Sequence, residues 1–167
     1  MKPNRIYILG ISGSGKSFLG KILSKQLKIP HYDSDDVRFI KKFSKARTKD
    51  QRKILIDRII KKKKWILDAK GSDWDRHAMK KSELVIWLQI TLTKRLYRIL
   101  KRYYARKGEF EEDISSLWEL VKFTSRYRYG GGVVTFKEHK RFLEENKIKY
   151  IAVKNKKQLE KIIGELK

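Results

Sequence analysis

Gly10-Ile11-Ser12-Gly13-Ser14-Gly15-Lys16-Ser17 is the stretch that decides the fold. It reads G-x-x-x-x-G-K-[ST], the pattern of a phosphate-binding loop, and it has the flanks such a loop requires. The apolar run Ile6-Tyr7-Ile8-Leu9 before it is short and β-rich enough for a buried strand. After it, Phe18, Leu19, Ile22, Leu23 and Leu27 recur at helical spacing. A triphosphate needs donors aimed into a concave surface. Gly10, Gly13 and Gly15 permit the dihedrals that aim backbone N–H groups inward, with Ser12 and Ser14 between them. The helix start, through Lys16, Ser17 and Phe18, adds free N–H donors and a partial positive charge. Lys16 is expected to reach the β- and γ-phosphates of a nucleotide, and the Ser17 hydroxyl to bind Mg²⁺.

Working outward, the 167 residues have the size of one ordinary domain, and no internal repeat or linker divides them. One domain over 1–167 is therefore expected. Apolar runs are too short for a membrane span, no signal peptide is expected because the first residues lead straight into the first strand, and there is no cysteine for a disulfide or thiolate metal site. These features fit the cytoplasm. Charge is the outlying number: 43 Lys and Arg against 19 Asp and Glu give +24. Such a surface attracts nucleic acid, and the expectation is non-specific adhesion rather than a dedicated site.

Strand-like runs at Ile29–Tyr32, Trp65–Leu67, Leu84–Leu88 and Tyr150–Val153 alternate with amphipathic stretches near 49–62, 93–104, 114–121, 136–143 and 156–166. This alternation predicts βαβ units, a parallel sheet of about five strands and helices on both faces, in three α/β/α layers. Leu96, Ile99, Leu100 and Tyr103 are expected to face the core from one helix, and Ile114, Leu117, Trp118, Leu120 and Val121 from the next. Ser72 or Asp73 could cap a short helix holding Trp74 and Met79. Residues 106–113 read as a loop, a short lid-like segment, and Gly130-Gly131-Gly132 as a turn.

Ligands of parallel sheets bind beyond the carboxyl ends of the strands. That rule selects the glycine loop, Asp33 to Asp36, and Asp68. Asp68 is the candidate second Mg²⁺ ligand beside Ser17, although it could instead cap the following turn. Asp35 and Arg38 are three residues apart, on one face of a helix start. The carboxylate could orient or deprotonate an acceptor hydroxyl and the arginine hold acceptor phosphate, or the segment could simply cap a helix. Arg95, Arg98, Arg102 and Arg106 make a stripe at spacings of three, four and four, a self-repelling arrangement that makes sense facing phosphate, or any of them could simply belong to a solvated basic face. His31, His77 and His139 are scattered and given no role.

With these residues in hand, the chain resembles P-loop kinases of the adenylate-kinase-like group, including small proteins labelled adenylate kinase or DNA topology modulation protein. Trp65-Ile66-Leu67-Asp68 is similar to that group's W-I-[IL]-[DE]-G. The resemblance implies the P-loop NTPase fold, binding of ATP with Mg²⁺, and transfer of the γ-phosphoryl group to a small acceptor, a nucleotide above all. It also implies that Arg98 and Arg102 are the pair preceding the lid that contacts nucleotide phosphates. Two departures stand out. Ala69-Lys70-Gly71-Ser72 replaces the group's G-[FY]-P-R, and residues 106–113 are too few for a long lid. The Asp35–Arg38 segment also resembles the acceptor motif of polynucleotide 5′-kinases. A nucleic-acid- or ribosome-associated P-loop ATPase, or a polynucleotide kinase, is the alternative expectation.

Overall fold

The computed structural model describes residues 2–40, 45–105 and 114–166. The expected lid-like segment at 106–113, with Arg106, lies outside the described residues. Strands β1 (Arg5–Leu9), β2 (His31–Asp33), β3 (Trp65–Ala69), β4 (Leu84–Leu88) and β5 (Tyr150–Val153) form one parallel sheet in the order β2-β3-β1-β4-β5. The helices are α1 (Lys16–Leu27), α2 (Ser34–Arg38), α3 (Lys49–Ile60), α4 (His77–Lys81), α5 (Leu92–Ala105), α6 (Ile114–Arg126), α7 (Phe136–Glu145) and α8 (Lys156–Glu165).

The alternation of β1 divides the core. Ile6 and Ile8 point to one face, where they pack with Leu19 and Leu23 of α1 and Ile162 of α8. Tyr7 and Leu9 point to the other, among Ile56 and Ile59 of α3, Met79 of α4 and Leu143 of α7. Both faces being covered explains why the interior strands read as continuous apolar runs. The result is the expected three-layer α/β P-loop fold. Strand order reverses between β3, β1 and β4, so the crevice for a ligand opens beyond β1, where the glycine loop begins.

Several local expectations change. Phe18 is 63% exposed and takes no part in the core. The inward face of α5 is built from Arg95 and Ile99, while Leu100 is exposed. On α6 the buried residue is Thr124, whereas Ile114 and Trp118 are exposed. Helix rotation is set here by packing of α5 against α6 rather than by the widest apolar stripe. The short helix α4 begins at His77 without a side-chain cap, so neither Ser72 nor Asp73 caps it and Trp74 precedes it. Asp68 lies inside β3, not after it, paired in register with Asp33 on one side and Ile8 on the other.

Candidate active site

The loop from Gly10 to Gly15 carries the chain from β1 into α1. Gly13 has φ 75°, and a Cβ there would meet the Arg95 carbonyl oxygen at 2.5 Å, so the close approach of α5 requires glycine. Gly15 caps α1 in a left-handed conformation, with no side chain satisfying the first amides. Those N–H groups are left for an anion, the arrangement that a triphosphate exploits. Ser14 Oγ is buried without a hydrogen-bond partner among the described residues.

Lys16 is buried beneath this loop, and its Nζ reaches the Ile11 carbonyl at only 3.4 Å. Burial pulls its pKa below the ordinary lysine range, while Asp68, Asp35 and Asp33 oppose the shift. A buried ammonium with one long hydrogen bond is poised for stronger acceptors, as phosphate oxygens would be.

The carboxylates around Ser17 are arranged differently from expectation. Ser17 Oγ donates to Asp33 Oδ2 at 3.4 Å, and Asp33 Oδ1 caps α2 by accepting from the Asp35 amide at 2.8 Å. Asp68 is 1% exposed, and its Oδ2 lies 2.7 Å from His31 Nε2. The structure thus brings Asp33 to Ser17 and occupies one oxygen of Asp68 with a histidine. The Asp33 carboxyl is raised from its ordinary pKa by burial and by Asp68 beside it. A hydroxyl and a carboxylate are hard oxygen donors, and a Mg²⁺ ion bound mainly by phosphates and water needs few protein ligands. The donor set therefore fits Mg²⁺, although among the described residues no three His, Asp or Glu side chains form a metal cage.

Beside the loop opens a cavity of about 480 Å³, lined by α2, the segment after β3 and α6. Asp35 and Arg38 both line it. Asp35 Oδ1 accepts from Lys70 Nζ at 3.1 Å. Burial favours the neutral Asp35, but Lys70, Lys16 and Arg38 outweigh it and hold the carboxyl below its usual range. Arg52 reaches the cavity from α3, where its Nε donates to the Arg47 carbonyl at 2.7 Å and its guanidinium lies over Trp74. Lys70 and Arg52 carry no expectation from the motif. Lys70 could have been found by the strand-end rule that selected Asp68, two residues earlier. Arg52 is brought in only by the tertiary placement of α3.

The segment carrying Lys70 is held from beneath. Gly71, at φ 72°, donates its N–H to the Tyr7 hydroxyl at 3.2 Å, and that hydroxyl donates to Asp75 Oδ1 at 2.7 Å. A Cβ on Gly71 would meet His139 Nε2 at 2.6 Å. His139 Nδ1 lies 2.9 Å from the Tyr127 hydroxyl, which accepts from Trp87 Nε1 at 3.1 Å. Burial raises the Asp75 pKa to about 7 and lowers that of His139 to about 4.

The arginine stripe divides. Arg98 Nη1 donates to the carbonyls of Gly13 at 3.2 Å and Ser14 at 3.0 Å, placing it against the glycine loop. Arg102 is exposed one turn further on. Arg95 turns away, buried over the Tyr127 ring and donating to the Thr124 carbonyl at 3.3 Å. Its charge serves packing rather than phosphate.

Comparison with known proteins agrees with this fold. The chain is 38% identical over 109 residues to the uncharacterized protein YqaC of Bacillus subtilis, a match covering 65% of this chain and 61% of that protein. It is 28% identical over 152 residues to a shikimate kinase of Bartonella henselae, covering 81% of this chain and 70% of the relative. A shikimate kinase structure from Acinetobacter baumannii, in complex with shikimate, superimposes with a TM-score of 0.60 at 17% identity, over 99% of this chain and 91% of that one. These neighbours share the P-loop kinase fold without singling out the adenylate-kinase-like group. No helix among the described residues is long and apolar enough to cross a membrane. The model of the AAA_18 family, described as AAA domain, matches residues 6–119, more than half of the chain, and the protein belongs to that P-loop family.

Proposed function

We propose that this protein is an ATP-dependent phosphotransferase, one domain over 1–167, that moves the γ-phosphoryl group of ATP to a hydroxyl of a small anionic acceptor. The observation that carries the reading is the Asp35–Lys70 pair, 3.1 Å apart, standing between the buried Lys16 and the cavity lined by Arg38 and Arg52. The glycine-loop amides and Lys16 hold the triphosphate. Ser17 and Asp33, with Asp68 behind them, would hold Mg²⁺, whose charge would offset that of the triphosphate oxygens. Arg98 secures the loop, and Arg102 lies on the same helix for the phosphates.

The acceptor anion sits on Arg38 and Arg52, and its hydroxyl faces Asp35. The hydroxyl oxygen attacks the γ-phosphorus, the bond to the β-phosphate oxygen breaks, and ADP leaves. The hydroxyl proton passes to Asp35. A carboxylate held below its usual pKa is a weak base, which suits a loose transition state in which orientation matters more than basicity. A nucleotide acceptor would use the same cavity, with phosphate on Arg38 and Arg52 and base beside Trp74. Asp35, Asp73, Asp75 and Glu119 line that cavity as well, and so acidic a lining favours a hydroxyl nucleophile over a phosphate oxygen.

Two of the similar proteins are shikimate kinases, which supports a small hydroxyl-bearing acceptor. The experiment is an acceptor screen with γ-labelled ATP and Mg²⁺ over hydroxy acids, nucleosides and nucleoside monophosphates. Transfer to a hydroxyl that is lost in Asp35→Asn supports the reading. Hydrolysis alone, stimulated by RNA, would favour the nucleic-acid-associated ATPase.

A further inference from the structure

We infer that the acceptor is a dianion, with a hydroxylated middle and a second anionic group held by Lys122 and Arg126; this rests on the acceptor cavity assigned above. A second cavity, of about 320 Å³, shares Glu119, Phe123 and Val134 with the first. On α6 the first is lined by residues 116, 119, 120 and 123, the second by 119, 122, 123 and 126. The lining advances along the helix by about one turn, roughly 5 Å, so the two cavities form one groove following α6.

Charge along this groove alternates. The near station has the cations Arg38 and Arg52, beside the Asp35–Lys70 pair; of its other carboxylates, Asp73 is paired with Lys49 and Asp75 is buried on the Tyr7 hydroxyl. Glu119 stands at the junction, and Lys122 and Arg126 line the far cavity. Both far cations are exposed, which leaves them solvated and available to a ligand anion. An anion at the junction would meet Glu119, whereas hydroxyls there would donate to it. Anions at the two ends with hydroxyls between them therefore match the groove in order. Phe123 and Val134 supply the apolar contact that such a chain's carbon backbone needs.

The test uses gluconate and glucarate, six-carbon hydroxy acids that differ in a second carboxylate at the far end. Each is titrated calorimetrically into protein loaded with AMP-PNP and Mg²⁺, at about 0.15 M salt to screen the general positive charge. Glucarate is expected to bind about tenfold more tightly than gluconate. The double variant Lys122→Gln/Arg126→Gln should reduce glucarate to the level of gluconate and leave AMP-PNP affinity unchanged. Lys25→Gln/Lys157→Gln removes the same charge from exposed positions of α1 and α8 and should preserve the difference. Equal binding of the two acids, or a difference that survives loss of Lys122 and Arg126, overturns the inference. So does a difference lost equally in the Lys25/Lys157 variant. Arg52→Gln separates this from the underlying reading. If it weakens both acids while they bind alike, only the second station is wrong. If it weakens neither, or neither acid binds, the acceptor cavity itself is misassigned.

Discussion

His31 Nε2 and Asp68 Oδ2 meet at 2.7 Å behind the glycine loop, while Ser17 turns to Asp33 instead. On the proposed Mg²⁺ site the pair casts Asp68 as a supporting carboxylate, with Asp33 the one bonded to Ser17. Asp33→Asn should therefore abolish most Mg²⁺-dependent turnover. Asp68→Asn should cost about 10- to 100-fold, the scale of a group acting behind a ligand. Turnover against Mg²⁺ concentration checks this; a larger loss for Asp68→Asn would return the direct metal role to Asp68.

Lys16→Ala should leave the fold intact, because removing a buried ammonium with a 3.4 Å hydrogen bond relieves a desolvation cost that offsets the loss of its packed stem. Phosphoryl transfer should fall by about 10²-fold or more, on the scale of losing one preorganised transition-state partner. Thermal unfolding with and without ATP, beside a turnover assay, measures both. Unchanged ATP affinity and turnover would remove the site from this loop.

Asp75 and His139 give opposite pH dependences. Folded Asp75 keeps its proton up to about pH 7, whereas the unfolded chain releases it near 3.8. The folded state then holds the extra proton, so stability falls as pH rises between those values, by about 4 kcal/mol at most. Folded His139 stays neutral down to about pH 4, whereas unfolded histidine protonates near 6.5, so stability falls as pH drops through that window. The two effects oppose one another between pH 4 and 6.5. Asp75→Asn should remove the first and stabilise the protein at pH 8; His139→Gln should remove the second. Urea titrations across pH 4–8 measure the slopes.

Adhesion to RNA follows from a charge of +24 and should be steep in salt. Each phosphate contact contributes about −0.7 to the slope of log affinity against log salt on a single strand. Binding should fade near physiological ionic strength and leave ATP turnover unchanged. RNA that stays bound there and accelerates hydrolysis would favour the nucleic-acid-associated ATPase.

The fold was legible where the signal is local. Ile6 to Leu9, the glycine loop and the pattern Leu19, Leu23 sit within about twenty residues, and each reports its own structure. Asp35 and Arg38 were legible as a pair because a helix start brings residues three apart together. The choice between Asp33 and Asp68 was not, because it depends on the register of β2 against β3 and on His31 filling the space beside Gly20. Arg95 and Arg98 looked equivalent in one stripe. The backbone of α5 packs on Gly13 at Arg95, whose guanidinium is covered by Tyr127 and the Thr124 carbonyl, while that of Arg98 stays at the loop. Arg52 and the Tyr7–Asp75 pair come from contacts between residues far apart in sequence, which no spacing encodes.

The central claim is that the acceptor's nucleophile is a hydroxyl placed at Asp35. The chemical class of the product tests it most directly, because a hydroxyl yields a phosphate monoester and a nucleoside monophosphate yields a phosphoanhydride. ³¹P NMR of the product from the acceptor screen distinguishes the two. We predict a monoester, absent with Asp35→Asn and Lys16→Ala; a phosphoanhydride, or a monoester formed undiminished by Asp35→Asn, would contradict the account.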